Sequence, residues 1–360
     1  METKRVVFRP AGTRYSLFFL FFFLTLLPLH SAARSSVGSI EAAGGTTYFR
    51  PKDSVRWTVA SRGLSLDVGD RVKTGSDGRL SISLVDGTRL NVGNDSELEI
   101  TVFLIGKEKR SAVYTLSTGK LRAVVGRFAG SSDIKVKTPT GVAGVKGTDF
   151  IVMNRNEANV LFGKEDNVAV SGTDTGSVVL APGKMTENTR GNEPIEPVDV
   201  EPGSPLEQVR GELEAITDVN APVQWEEAGS LPLILARWNI NYGHYLADSK
   251  RYTDALNVFQ IAIDLSEAAP VRAEAHLERG TVLSRNLSEP GKALAEYMAV
   301  VDKYPLAPFF ENALFSAGMI EMDLGEKDGA LRLFKRYRQE FPEGMHRETV
   351  EMLINVMETD

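Results

Sequence analysis

Cysteine is absent from all 360 residues. That removes disulfides, thiol nucleophiles, thiolate metal sites and a lipoprotein anchor at once. Histidine is nearly as scarce, and beyond the first thirty-three residues only His244, His276 and His346 remain. No two of these are four residues apart and no H-E-x-x-H occurs, so no zinc-binding helix is spelled; solvated helix faces are their expected place. There is no G-x-S-x-G elbow for a serine nucleophile. Gly141 to Asp149, GVAGVKGTD, is only superficially a phosphate loop, because Lys146 precedes its glycine and strand-like residues follow. Carboxylates are plentiful, but none stands in an apolar context that would tune it for acid–base work. No cofactor, bound metal or catalytic residue is therefore expected, and the chain does not read as an enzyme. Beyond the first thirty residues no apolar run approaches the roughly 20 residues that a membrane span needs.

The beginning of the chain is different. Lys4, Arg5, Arg9 and Arg14 precede the apolar run Leu17 to Leu29, and Ser31 and Ala33 follow Pro28 at small-residue spacing. This order is that of a secretory signal peptide over residues 1–33. An uncleaved inner-membrane anchor is the alternative, although the run is short for it. The expected location is periplasmic or secreted. The formal charge of the whole is −7; without the leader, which carries four basic residues and one acidic, it is −10.

Two grammars follow. From Val37 to about Gly183 the residues alternate: Leu80, Ile82 and Leu84 with serines between, then Leu98, Ile100 and Val102, then Leu121, Ala123 and Val125. A period of two buries one face of a strand. Asp77-Gly78, Asp86-Gly87 and Asn94-Asp95 punctuate these runs every eight or nine residues. Such spacing suits a sandwich, a barrel or a β-solenoid, and periodicity does not choose among them. Residues 184–205, rich in proline and acid, read as a linker. From Leu206 helix grammar takes over, starting with an amphipathic stretch to Val219. Ala255, Ala293 and Ala330 recur at steps of 38 and 37 residues; an aromatic (Phe259, Tyr297, Phe334) follows each by four, and Gly243, Gly280 and Gly318 precede them. Small residues let helices approach, and an aromatic four positions on shares the face and fills the groove. Pro305 and Pro342 close the second and third units.

These units resemble tetratricopeptide (TPR) repeats, over 236–270, 271–305 and 308–342, followed by a capping helix. The β half, through RGLSLDVGDRVKTGSDGRLSISLVDGTRLNVGNDSELEI, LSTGKLRAVV and VKTPTGVAGVKGTDFIV, resembles the FecR domain family. The fold class expected is thus multidomain: an all-β FecR-like β-solenoid or sandwich domain over 37–183, then an all-α TPR solenoid within 206–360. The residues that carry the FecR resemblance are Gly69, Asp70, Thr74, Gly78, Asp86, Gly87, Gly147, Thr148, Asp149 and Phe150. Their expected roles are structural. Gly69, Gly75, Gly78, Gly87 and Gly93 sit where turns need positive φ, the aspartates cap turns, and Phe150 anchors a core strand.

The resemblance implies an extracytoplasmic sensing or partner-binding domain. Its best-known members carry a cytoplasmic anti-sigma domain before a membrane helix; about sixteen residues precede the apolar run here, so that role is not carried over. Stacked TPR pairs form a groove lined by the first helix of each pair, and the repeat phase places Arg237, His244, Asp248, Glu274, Arg285, Asn312 and Asp323 on it. The expected function is a non-catalytic, extracytoplasmic scaffold for a protein or peptide partner. The alternative is a sensing component of a FecR-type signalling system. Residues 34–184 hold 21 basic and 16 acidic side chains, whereas 187–360 hold 16 and 31. The basic half could meet its own acidic half or an anionic envelope surface. Nucleic acid is not an expected partner of an acidic, exported chain.

Overall fold

Alternating side chains and tight turns lay the first half down as strands that pass back and forth between two facing sheets. The computed structural model describes residues 36–145, 147–220 and 225–359; the expected signal peptide lies outside them. In chain order the strands are β1 (Gly38–Gly44), β2 (Thr47–Arg50), β3 (Thr58–Val59), β4 (Ser65–Leu66), β5 (Arg71–Thr74), β6 (Arg79–Leu84), β7 (Arg89–Val92) and β8 (Glu97–Ile105). The long β9 (Lys109–Val124) is followed by β10 (Ser131–Lys137), β11 (Gly141–Val145), β12 (Asp149–Arg155), β13 (Ala158–Gly163), β14 (Val168–Gly172), β15 (Ser177–Leu180), β16 (Lys184–Thr189) and β17 (Val198–Asp199).

One sheet runs β4-β1-β6-β7-β9-β12-β13-β16-β17. The other runs β3-β2-β5-β8-β9-β10-β11-β14-β15. After the reversed starts β4-β1 and β3-β2, both orders advance with the sequence, so the chain builds an open two-layer stack of hairpins, the sandwich among the three architectures left open above. β9 belongs to both sheets. Its first half pairs with β8, and its second half, after Gly119, pairs with β7 and β12. Gly119 has φ +100°, and a Cβ there would collide with the Ser96 side chain, so the crossing needs glycine. β10 then returns to the second sheet and pairs in parallel with the first half of β9.

The core between the sheets takes Leu80, Ile82, Leu90, Leu121, Phe150 and Val152 from one layer and Val72, Leu98, Ile100, Tyr114, Ile134 and Val170 from the other. The neighbouring side chains Ile151 and Met153 point the other way, into a second core shared with helices. This is why β12 reads FIVM without alternation: both of its faces are covered.

Helices follow: α1 (Pro205–Ile216), α2 (Trp225–Asp248), α3 (Tyr252–Leu265), α4 (Ala269–Arg285), α5 (Pro290–Lys303), α6 (Phe310–Asp323), α7 (Lys327–Glu340) and α8 (Arg347–Thr359). Ser204 caps α1 by accepting from the Glu207 amide, with Pro205 in the first turn. Its stripe Leu206, Val209, Leu213 and Ile216 is buried in the second core. The helices α2/α3, α4/α5 and α6/α7 form three successive hairpins. In each, the glycine of the first helix lies directly beneath the aromatic ring of the second: Gly243 under Phe259, Gly280 under Tyr297 and Gly318 under Phe334. Among the described residues no helix is long and apolar enough to cross a membrane.

The segment read as a linker is not one. Residues 184–189 form β16, an inner strand between β13 and β17, with Met185 to Asn188 buried. Its polar side chains are taken up by partners distant in sequence. Thr186 donates to the Ile195 carbonyl (2.7 Å), Asn188 donates to that of Thr140 (2.7 Å), and Thr189 donates to Asp264. The β and α halves therefore share a core, and residues 36–360 make one compact unit. The first hairpin also begins earlier than 236, because α2 starts at Trp225 and passes through Pro232.

The stacked rings set up a direct test. Alanine normally gains up to about 1 kcal/mol over glycine inside a helix. At Gly318 the new Cβ would stand 2.5 Å from the Phe334 ring. Gly318→Ala is expected to lower stability by about 1–3 kcal/mol through overpacking. Gly211→Ala in α1, where nothing lies within 4 Å, should be neutral or raise it. Urea titrations of the two variants measure this, and equal effects would refute the packing role.

Candidate partner-binding wall and buried polar sites

The first helices of the three hairpins lie side by side. Arg237 on α2 is ion-paired with Glu274 on α4, and His244 Nδ1 lies 3.8 Å from Glu278 on α4. These contacts skip α3, so α2 and α4 present one continuous wall that the second helices leave uncovered. Burial raises the Glu278 carboxyl above the usual carboxylate range, and His244 opposes it. Asp248, Arg285 and Asp323 are exposed at corresponding positions, each the last residue of its helix. Asn312 is half-buried at the α6 position that matches Arg237 and Glu274. The structure thus joins Arg237 to Glu274 and brings His244 to Glu278, a residue the sequence reading passed over. Repeat phase was the available signal: Glu278 lies four residues after Glu274 on the same stripe. The other four residues do not join a cluster.

Two histidines are not on solvated faces. His276 Nδ1 lies 2.7 Å from Glu296 and its ring stacks on Tyr304, while His346 stacks on Phe315 at 3.9 Å. Arg279 donates to Glu296 (2.8 Å) and to the Leu256 carbonyl (2.8 Å), and against the effect of burial His276 and Arg279 together hold the Glu296 carboxyl low. Beside Arg279 a recess of about 730 Å³ opens between residues 175–178, 191–196 and the helices α2 and α3. Its bases are already engaged, Arg251 with Asp254 at 2.6 Å and Arg279 with Glu296. Among the described residues no three His, Asp or Glu side chains are arranged to hold a metal.

The FecR-like positions are architectural. Asp70 accepts from the amides of Asp67 (2.9 Å) and Lys52 (3.0 Å), closing the turn before β5. Thr74 donates to the Gly93 carbonyl (2.6 Å) and accepts from the Ser96 amide (2.9 Å). Asp86 holds the β6–β7 turn through the Thr88 amide and hydroxyl, and pairs with Arg110 at 3.0 Å. Thr148 donates to the Glu165 carbonyl, Asp149 takes a two-pronged contact from Arg122, and Phe150 is fully buried. Gly69, Gly87 and Gly147 have positive φ. Gly75, Gly78 and Gly93 do not, contrary to expectation. They are small because backbone or side chains press on them: Thr46 on Gly75 and Gly78, Ile216 on Gly93.

Two buried charges were not foreseen. Lys120 donates to Asn94 Oδ1 (2.9 Å), and burial lowers its ammonium pKa to about 8. Glu187 lies wholly buried between β16 and α2, where Asn239 donates to it (3.2 Å); burial pushes its carboxyl up to about 8. A carboxyl with that pKa is neutral in ordinary conditions.

Solved structures are similar to parts of the chain. A protein described as an anti-sigma factor from Parabacteroides distasonis is 17% identical, with a TM-score of 0.31; the match covers 36% of this chain and 59% of that one, so the chain spans under two thirds of its length. The TPR2B domain of yeast Sti1, solved as a complex with pHsp70, is 16% identical over 35% of this chain and 98% of that one (TM-score 0.30). PcrH from Pseudomonas aeruginosa is 20% identical over 34% and 90% (TM-score 0.28). No curated protein matches the chain. Within the two-sheet half, residues 70–164 match the family described as FecR protein.

Proposed function

We propose that this chain is a non-catalytic, extracytoplasmic protein-binding component. Its FecR-type sandwich carries a short TPR-like wall that holds one peptide or protein surface. The observation that carries the reading is the continuous face of α2 and α4, tied across the hairpins by Arg237–Glu274 and His244–Glu278. Beside it stand the exposed charges Asp248, Arg285 and Asp323. Such a face offers rigid, spaced polar groups and no reaction chemistry. The basic, apolar and small-residue order of the first thirty-three residues supports export.

A photo-crosslinking residue at Asp248 should give one discrete adduct from the cell envelope fraction. Reversing charge at Arg285 (Arg285→Glu) should weaken it about tenfold, within the range for a partner-facing charge. Equal adducts from Lys292, on the opposite helix layer, or fractionation of the chain with the cytoplasm, would overturn the proposal. A second reading, a sensing component of a FecR-type signalling system, is favoured by the shared core of β16, α2 and α3. A change in the sandwich would reach the wall through that core.

A further inference from the structure

A strand with no neighbour on one side exposes the edge of its sheet, and most edges of this sandwich are blunted. Three of the outermost strands, β3, β4 and β17, are two residues long. The stretches of β1 and β8 that overhang their outer neighbours each carry a bulge. Short strands and bulges are common means of preventing edge pairing. β15 has neither. Its four residues, Ser177 to Leu180, contain no charge and no proline, and its register with β14 is unbroken.

The closed end of that hairpin fixes which backbone groups face outward. The Gly172 amide donates to the Gly176 carbonyl (3.2 Å), and bonded pairs recur at every second residue, so Val178 and Leu180 bond to β14. The N–H and C=O groups of Ser177 and Val179 point away from it. Among the described residues no hydrogen bond reaches them. Ser177 is exposed, and Val179 is 61% exposed. Backbone groups spaced in this way are matched by another extended chain.

Space and charge are both present beside this edge. The recess of about 730 Å³ next to Arg279 is lined by Gly176, Ser177 and Val178 and by residues 191–196. Its bases are taken, Arg251 by Asp254 and Arg279 by Glu296. Its acids Glu193 and Glu196 are exposed, and among the described residues neither is ion-paired. Asp174, in the turn before β15, and Asp166, beside its far end, are exposed as well. Lys184, past that end, is paired with Asp199 (2.8 Å). The free edge is thus flanked by uncompensated negative charge, although the β half as a whole is basic.

We infer that an extended, lysine- or arginine-bearing segment of a partner protein adds to the free edge of β15 as one more strand. Its backbone exchanges hydrogen bonds with Ser177 and Val179, and its basic side chains meet Glu193 and Glu196. A helix has its own backbone groups occupied and cannot bond to the edge, and an acidic strand is repelled by the carboxylates. The site lies on the sandwich, so the inference does not depend on what the wall of α2 and α4 holds.

Residue-resolved amide hydrogen exchange on the full chain tests this, with a short capped peptide of alternating valine and lysine as the probe. Without peptide, the Ser177 and Val179 amides should exchange at least about tenfold faster than those of Val178 and Leu180. The peptide should slow Ser177 and Val179 by about tenfold or more and leave the helical half unchanged. Its valine–glutamate counterpart and its backbone N-methylated form should slow neither. Val179→Pro removes an amide that β14 does not use, so this variant should keep its urea midpoint and bind the peptide at least about tenfold more weakly. If it does not fold, the Glu193→Lys, Glu196→Lys double variant decides the matter, with the same loss expected. Slow exchange at Ser177 and Val179 in the dilute, peptide-free chain would overturn the inference, as would no slowing by the valine–lysine peptide. So would equal slowing by the N-methylated form, or unchanged binding in the folded variants. Slowing that rises with protein concentration alone would give the edge to a second copy of this chain and overturn it too.

Discussion

Replacing Arg110 by methionine is expected to cost about 3–5 kcal/mol, the range for stripping one partner from a buried ion pair. Arg110 and Asp86 are each 2% exposed, the deepest ion pair in the sandwich among the described residues. The guanidinium satisfies three separate segments through Asp86, Gly126 and Ser132, and stacks over the Phe128 ring at 5.2 Å. Methionine fills much of the volume but leaves Asp86 as an uncompensated buried charge, eased only by Thr88. Lysine should fare little better, because a single ammonium cannot reproduce the fork that reaches three acceptors. Adding Asp86→Asn to Arg110→Met should recover part of the loss, since the stranded charge disappears while the amide can still accept from the Thr88 backbone. Urea unfolding of the wild type, both single variants and the double variant closes the cycle. A loss under about 1 kcal/mol for Arg110→Met would mean that the pair does not clamp the sheets as the geometry requires.

The helical hairpins were legible because their signal is local and repeated. Gly280 and Tyr297 are separated by one loop, and the same ring-on-glycine contact recurs at Gly243 and Gly318, so a step of 37 or 38 residues exposes it. Arg110 shows no such periodicity. It stands in a polar stretch, KEKR, and only the return of β10 beside β9 encloses it. β16 was misread for the same reason. Lys-Met-Thr-Glu-Asn-Thr resembles solvated chain, yet its donors and acceptors are met by Thr140, Ile195, Asn239 and Asp264, spread over more than a hundred residues. Polar residues buried by tertiary pairing leave no pattern in composition. Of the inner wall, repeat phase gave Arg237, His244 and Glu274 positions on one face, but their pairing depends on how closely α2 and α4 pack.

Stability should fall as pH rises from about 5 to about 8, and Glu187 is the expected cause. The folded chain holds the Glu187 carboxyl protonated up to about 8, while in the unfolded chain it ionises near 4.5. Between those values the folded state binds the extra proton, so each step up in pH favours unfolding, and above 8 the loss is complete. A gap of this size corresponds to roughly 5 kcal/mol at 1.36 kcal/mol per pH unit. The carboxyls of Asp264 and Glu278 are also raised by burial and add smaller changes of the same sign. Lys120 acts in the opposite sense and in another window. Its folded pKa of about 8 lies below the ordinary 10.5, so the folded chain holds fewer protons between those values and stability climbs with pH there. The wild-type profile should therefore have a minimum near pH 8. Glu187→Gln, a neutral stand-in of nearly the same shape, can still accept from Asn239 and should be close to wild type at pH 5. It should exceed wild type by several kcal/mol at pH 8, which leaves only the rising limb from Lys120. Urea midpoints at half-unit steps from pH 5 to 10 measure both limbs. A Glu187→Gln profile parallel to wild type would show that this carboxyl ionises freely and that the joint between β16 and α2 admits water.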